Sequence, residues 1–404
     1  MSSIFQNPFR PGAGHPPPYL AGRGDERKEF EKLLDQEVVL QNLVLTGLRG
    51  VGKTVLLDTF KPVALAKGWL WVGADLSEST SISEEAIAIR LMTDLAVITR
   101  GFTRPTAPGK TLGFGATRTK IDTPITYEVL RKIYEDTPGL VADKLKAVLE
   151  LAWQCVGVAK SHGIVFAYDE AQNLSDQASR DQFPLSLLLD VFQSVQKKGM
   201  RLMLVLVGLP TLFPKLVEAR TFSERMFRVL FLTRLEDPDS EDAIRKPMEH
   251  PKCPAQLDAA SVKLIVKTSG GYPYFIQFIC REVFDIIVSD MRRGAPTSRI
   301  PVQEIVGKLD TDFFAGRWAR ATDRQRDLLI VVARLESHDD EFTVQEIVEK
   351  SKEVLDKPFS SSHTNQILAA LAGAGLVYKN RHGRYSFAVP LFGEFILRQL
   401  EEMR

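Results

Sequence analysis

An apolar run, Leu43-Val44-Leu45, stops at Thr46 and passes into Gly47-Leu48-Arg49-Gly50-Val51-Gly52-Lys53-Thr54, after which the chain turns apolar again at Val55-Leu56-Leu57. Glycines at 47, 50 and 52 interrupt both apolar runs, because glycine takes φ > 0 readily and is weak in helix or strand interiors. The eight residues fit G-x-x-x-x-G-K-[ST] in full, with a strand-like run before them and a helix-like run after them. In that setting the glycines let the backbone wrap a phosphate, so that successive N–H groups and a helix N-terminus face it. Lys53 would reach the β- and γ-phosphates, and the Thr54 hydroxyl would ligate Mg²⁺. Gly47, Leu48, Arg49, Gly50, Val51, Gly52, Lys53 and Thr54 are therefore candidate nucleotide-binding residues.

A loop of this kind needs a sheet to hold it, and the chain supplies one. "NLVLTG" (42–47), "WLWVGADL" (69–76), "GIVFAYDE" (163–170), "RLMLVLVG" (201–208) and "RVLFLTRL" (228–235) read as strands. Helical stretches separate them, notably 139–161, which carries Leu145, Val148, Leu149 and Ala152 on one face. Near-continuous Val/Leu/Ile strands are buried on both faces, which predicts a parallel sheet covered by helices. The expected fold class is α/β, a P-loop NTPase core over 21–236. Before it, residues 1–20 are a Pro/Gly-rich arm. Within it, 100–124 is a Gly/Thr-rich insertion carrying Arg100, Arg104, Lys110, Arg118 and Lys120. It reads as a solvated loop or hairpin, or as a loop that touches nucleic acid or a neighbouring subunit.

After "LEDPDSEDAI" (235–244) the strands stop, and Ser240 is the expected N-cap of the next helix. Helices at about 240–249, 258–268, 273–292 and 301–314 make a helical lid over 237–318. From Thr322, helices at about 322–335, 343–354 and 361–373 precede a strand–turn–strand with Gly383 in the turn. That order predicts a winged-helix domain over 319–404.

Composition narrows the class of partner. Lys+Arg 52 against Asp+Glu 51 leaves a net charge of +1, so any nucleic-acid contact must come from a local basic patch. The cysteines, Cys155, Cys253 and Cys280, are far apart and form neither a disulfide framework nor a metal motif. The opening "MSSIFQNPFRPGAGHPPPYL" has no apolar core like that of a signal peptide. No apolar run reaches the roughly 18–20 residues of a membrane span. These features predict a cytoplasmic protein that makes no membrane contact.

A second motif answers the first. In "IVFAYDEAQNL" an apolar strand delivers Asp169 and Glu170 at its C-terminal end. Asp169 is the expected Mg²⁺ holder, and Glu170 is the expected general base that polarises the attacking water. An acidic residue directly after the Asp indicates hydrolysis as well as binding. "LAGRGDERKEFEKLL" (20–34) resembles the GR-x-x-E motif of AAA+ and STAND-type ATPases, with Gly22 and Arg23 matching. "YDEAQNL" is similar to the Walker B of origin-initiator ATPases and of transposition or secretion helpers. "GLPTL" (208–212) is similar to the end of the fourth strand in those helpers, and "SGGYPYFIQFI" (269–279) resembles the Gly-x-Pro element of STAND and archaeal-type ATPases. There Gly271 and Pro273 match, and the resemblance implies that Pro273, like Arg23, lies near the nucleotide base. The C-terminal "LAGAGLVYKNRHGRYSFAVPLFGEFI" resembles the winged helix that ends many of these chains. The resemblance runs over roughly 20–404. It implies ATP and Mg²⁺ as cofactors, ATP/ADP as bound nucleotides and a homo-oligomer that assembles with nucleotide.

Two departures from the family pattern stand out. The fourth strand ends in Gly208-Leu209-Pro210, where AAA+ proteins carry a polar sensor, with Thr211 the nearest polar candidate. Pro273 occupies the neighbourhood of the usual lid arginine. Both favour a slow ATPase used as a switch. An arginine supplied to a neighbouring subunit would come from Arg220, Arg225 or Arg228, with Arg225 the first choice and a solvated basic helix end the alternative. In the C-terminal domain, Ser361, Ser362, His363, Asn365 and Gln366 open the third helix, and Lys379, Arg381, His382 and Arg384 line the hairpin. Lys379, Arg381 and Arg384 are candidate contacts to double-stranded DNA. The acidic "ESHDDEF" (336–342) keeps the domain near neutral, so a lid that locks the nucleotide is an equal alternative. The sequence predicts an ATP-hydrolysing AAA+/STAND-like switch that acts on DNA or on a partner protein. The alternative is a signalling ATPase that regulates a partner protein without DNA contact.

Overall fold

The computed structural model describes residues 6–12, 14–106, 121–294, 300–338, 340–381 and 383–402. Lys110, Arg118, Lys120 and His382 lie outside the described residues, as do the side chains of Arg104 and Arg381. Two units are distinguished, one made of 25–46 and 56–230, the other of 1–24, 47–55 and 231–404.

The first unit is built on a sheet. Its strands in chain order are β1 Asn42–Gly47, β2 Trp69–Asp75, β3 Thr103–Thr106, β4 Ile121–Pro124, β5 Gly163–Asp169, β6 Leu202–Gly208 and β7 Phe227–Leu232. Five of these make one sheet in the order β2-β5-β6-β1-β7. The pairs β2–β5, β5–β6 and β1–β6 are parallel. Every residue of β1, β5 and β6 is buried, as expected of strands covered on both faces. Side chains alternate between the faces. Ile164, Phe166 and Tyr168 pack with Leu91 and Leu95, Val148 and Leu149, and Leu188 and Phe192 from the helices Glu84–Thr99, Val141–Ala159 and Pro184–Lys197. Trp71 meets Phe30, which stacks on Phe60 with ring centroids 4.3 Å apart. Asn42, 1% exposed, ties three segments together at the start of β1. Its Oδ1 accepts from Leu204 N–H (2.7 Å) and Gln196 Nε2 (2.8 Å), and its Nδ2 donates to Met226 O (3.3 Å). β3 and β4 pair as an antiparallel hairpin at the ends of the 100–124 insertion.

The second unit is helical with a small antiparallel sheet. The helices Asp237–Arg245, Ala259–Ser269, Pro273–Arg293 and Val302–Leu309 come first. Ser240 is not the cap. Glu236 is, and Pro238 takes a place in the first turn, where a missing N–H costs nothing. Ser240 is fully buried, with its hydroxyl donating to Leu235 O at 3.4 Å. The helix expected over 301–314 ends at Leu309 and continues as a π-helical turn, Asp310–Phe314. That turn coincides with a cluster of packed rings, for Phe314 stacks on Phe395 at 5.2 Å and Phe313 meets Phe275 at 5.2 Å. Asp310 accepts two hydrogen bonds from Arg398, at 2.9 and 2.6 Å.

Three further helices, Asp323–Ala333, Val344–Val354 and Ser361–Gly373, are each opened by a hydroxyl cap from Thr322, Thr343 and Ser360. The strands β8 Phe342–Thr343, β9 Val377–Arg381 and β10 Arg384–Phe387 form a sheet in the order β8-β10-β9, and the helix Phe392–Glu402 follows. The N-terminal arm is docked on this unit. Phe9 is fully buried in its core, Asn7 Nδ2 donates to Arg281 O at 2.9 Å, and Arg10 N–H donates to Gln277 Oε1 at 3.1 Å. Among the described residues, no helix is long and apolar enough to cross a membrane.

Candidate functional site

The loop Gly47–Thr54 takes the shape its glycines allow. Gly50 has φ +80° and Gly52 φ +91°, conformations in which an L side chain is strained, and the helix Lys53–Ala66 starts immediately after them. Lys53 Nζ donates to the carbonyls of Gly47 and Leu48, both at 2.9 Å, so its ammonium is turned into the loop. A helix N-terminus behind glycines of this shape is suited to an anion, because unsatisfied N–H groups point out of it.

Residues distant in sequence secure this loop. Arg23, 7% exposed, donates from Nη2 to Val51 O (3.1 Å) and Thr233 O (2.7 Å), so its guanidinium braces the loop's backbone. Gly22, at φ +62°, leaves no room for a side chain, since a Cβ there would lie 2.5 Å from Asp239 Oδ2. Pro273 opens the helix Pro273–Arg293, and the next residue, Tyr274, donates its N–H to Gly50 O at 3.1 Å. A Cβ on Gly50 would lie 3.1 Å from that of Tyr274. Arg49 reaches the C-terminal region, with its guanidinium nitrogens 3.7 Å from where a Cβ of Gly375 would stand. Arg317 is held below the ordinary arginine range by burial and then by the like charge of Arg49. A Cβ on Gly14 of the arm would lie 3.7 Å from the Thr54 methyl carbon. The roles of Tyr274, Arg317 and Gly375 carry no sequence signal of their own, because each depends on a partner in another part of the chain.

The carboxylates end a buried strand. The parallel register pairs Asp75 with Asp169 and Thr46 with Gly208, which puts the C-terminal ends of β1, β2, β5 and β6 along one edge of the sheet. Asp169 is 4% exposed and accepts Glu170 N–H on Oδ1 at 2.7 Å. Glu170 is exposed and left-handed, at φ +52°. Its carboxylate accepts from Gln172 Nε2. Behind the strand end, Tyr168 donates to Asp94 at 2.9 Å, and Arg90 pairs with the same carboxylate. Burial and then the Asp94 charge push the Tyr168 phenol well up, so it stays neutral.

Of the three candidate arginines, Arg220 and Arg225 precede β7 and Arg228 lies within it. Arg220 makes a two-pronged pair with Asp190 (2.8 and 2.7 Å), and Arg228 pairs with Glu29 at 3.3 Å. Arg225 is exposed on the short helix Ser223–Met226. On the hairpin, Lys379 is exposed opposite Tyr385, and Arg384 is half-buried opposite Arg381.

Residues 19–216 match the AAA ATPase domain. The fold is that of an AAA+ P-loop ATPase. The Walker-type ATPase of Pyrococcus abyssi is similar with a TM-score of 0.57 at 14% identity, over 94% of this chain and 96% of that one. The ORC2 protein of Aeropyrum pernix in ADPNP–ADP complexes is similar with a TM-score of 0.56 at 14% identity, over 98% of each chain. Its ADP form gives 0.56 at 14% identity, over 96% and 97%. Residues 311–396 match DUF8462, a domain of unknown function. No curated protein matches the sequence. The AAA ATPase match spans the loop, Asp169 and Glu170, and ends after the Gly208-Leu209-Pro210 segment.

Proposed function

We propose that this AAA+ protein is a Mg²⁺-dependent ATPase that works as a nucleotide switch. The observation that carries the proposal is a phosphate loop already in shape, with Gly50 and Gly52 at positive φ and Lys53 turned inward, in a chain whose buried β5 ends in Asp169-Glu170. Lys53 and the loop N–H groups hold the phosphates. The Thr54 hydroxyl and the Asp169 carboxylate are hard oxygen donors of the kind Mg²⁺ takes. The ion's contribution is to neutralise phosphate charge. Glu170 accepts the proton of the attacking water. Lys53→Ala should lose tight ATP binding, and Glu170→Gln should bind ATP without turning it over. A Glu170→Gln protein that hydrolyses at the parental rate overturns the assignment.

What the switch acts on has two readings, and an observation supports each. The β9–β10 hairpin presents Lys379 and Arg384 on a small sheet, which supports contact with double-stranded DNA through its phosphates. Replacing Lys379, Arg381 and Arg384 by Ala would then weaken DNA binding about equally for all sequences. It would also flatten the salt dependence by roughly 0.9 for each phosphate no longer neutralised. The approach of Arg49 to Gly375 supports the second reading, in which the C-terminal winged-helix region locks the nucleotide and the ATPase regulates a protein partner. On that reading Arg49→Met speeds release of a fluorescent ADP and the hairpin variant leaves DNA binding unchanged.

A further inference from the structure

The end of β6 carries no polar side chain, for the chain reads Gly208-Leu209-Pro210 there. It is nevertheless wired to Glu170 through one residue, Gln172. Gln172 sits in the 3-10 turn Ala171–Asn173 that Glu170 opens. Its Oε1 accepts the Leu209 N–H at 3.1 Å. Its Nε2 donates to the Glu170 carboxylate. An amide's two ends are chemically distinct, so this environment settles its orientation: the oxygen must face the backbone donor and the NH₂ must face the carboxylate. The turn itself is pinned from the other side, where Lys215 Nζ donates to Gln172 O at 2.9 Å. Gly208 makes the arrangement possible. A Cβ there would stand 2.5 Å from Gln172 Oε1 and 3.3 Å from its backbone N.

We infer that Gln172 is a positioning residue that holds the Glu170 carboxylate in place for water activation and couples it to the end of β6. The inference rests on the ATPase reading above, with Glu170 as the base. Glu170 is exposed, and its backbone sits in the left-handed region. A long side chain in that position would otherwise sample several rotamers, and a single neutral donor tethers it without discharging it. The backbone N–H of Leu209 thus does what a polar side chain on the strand would do.

The test uses the full chain with Gln172→Glu and Gln172→Ala, each also combined with Glu170→Gln. Gln172→Glu keeps an oxygen for the Leu209 N–H but removes the donor and sets a like charge beside Glu170, so its thermal midpoint should stay near the parental value. We expect kcat to fall by about tenfold or more with KM for ATP held within about twofold, the pattern of an interaction that serves the transition state. In the Glu170→Gln background, which has no turnover to lose, either change should leave the ATP dissociation constant within about twofold of that single variant, since the group being positioned is gone. Parental kcat in both Gln172 variants, a raised kcat in Gln172→Ala, or a loss of ATP affinity in the Glu170→Gln background as large as the loss of kcat overturns the positioning role while the ATPase reading stands. A parental protein without turnover, or an active Glu170→Gln protein, overturns both.

Discussion

Gly50→Ala, set against Gly52→Ala, tests whether the phosphate loop is held in the shape described. Both glycines are left-handed, at φ +80° and +91°, and an L side chain there costs about 1–2 kcal/mol. The two differ in what a methyl group would meet. At Gly52 nothing lies within 4 Å, whereas at Gly50 the new carbon would stand 3.1 Å from Tyr274 Cβ. Tyr274 cannot easily withdraw, because its N–H is bonded to Gly50 O at 3.1 Å and its ring lies 5.6 Å from Phe275 and 5.0 Å from Phe313. Crowding against a fixed neighbour adds about 1 kcal/mol or more. The expected total is about 1–2 kcal/mol for Gly52→Ala and about 2–4 kcal/mol for Gly50→Ala, which is roughly 5–30-fold and roughly 30–700-fold if it falls wholly on binding. Calorimetric titration with ADP, beside urea unfolding of the unliganded protein, measures how each cost divides between affinity and stability. Equal summed losses for the two variants, or parental values in both assays, would refute the packing of Tyr274 on the loop.

Asn42→Leu should lower the urea midpoint strongly, because it leaves Leu204 N–H and the Gln196 amide buried without their partner, at about 1–3 kcal/mol for each such group. Asp258 caps the helix Ala259–Ser269, and hydrogen bonds from the Ser261 side chain and then its backbone hold its carboxyl below the ordinary 3.8. A depressed folded-state pKa contributes stability above the unfolded value and loses it as pH falls. The stability gap between the parent and Asp258→Asn should therefore be flat at neutral pH and shrink below 3.8, as read from unfolding midpoints across pH. A gap independent of pH would remove the charge from the cap's role. If Arg225 serves a neighbouring subunit, mixing Arg225→Ala with Lys53→Ala protein should restore turnover that neither shows alone, in a manner dependent on protein concentration.

The sheet and the phosphate loop were legible in the sequence because their signals are local. Five apolar runs predicted strands within a few residues of Asn42–Gly47, Trp69–Asp75, Gly163–Asp169, Leu202–Gly208 and Phe227–Leu232. Burial on both faces of a parallel strand demands continuous apolar residues, and that demand is met within six or seven positions. The glycines at 50 and 52 likewise declare a backbone conformation that few other residues adopt. What only the tertiary structure decided is partnership. Phe9 in a proline-rich arm gives no hint that it is fully buried. Arg23 finds Val51 O 28 positions away and Thr233 O 210 positions away. Arg220 is engaged by Asp190 and Arg228 by Glu29, a distinction that three similar arginines in one segment cannot announce. Ser240 yields its expected cap position to Glu236, and its hydroxyl goes instead to Leu235 O. Gln172 reads as one more polar residue of a turn until the chain 37 positions later brings the Leu209 N–H to its amide oxygen. Periodicity and backbone preference act over a few residues and are written where they act. A hydrogen-bond partner or a packed ring is chosen by which remote segments fold against each other, and no local window of sequence contains that choice.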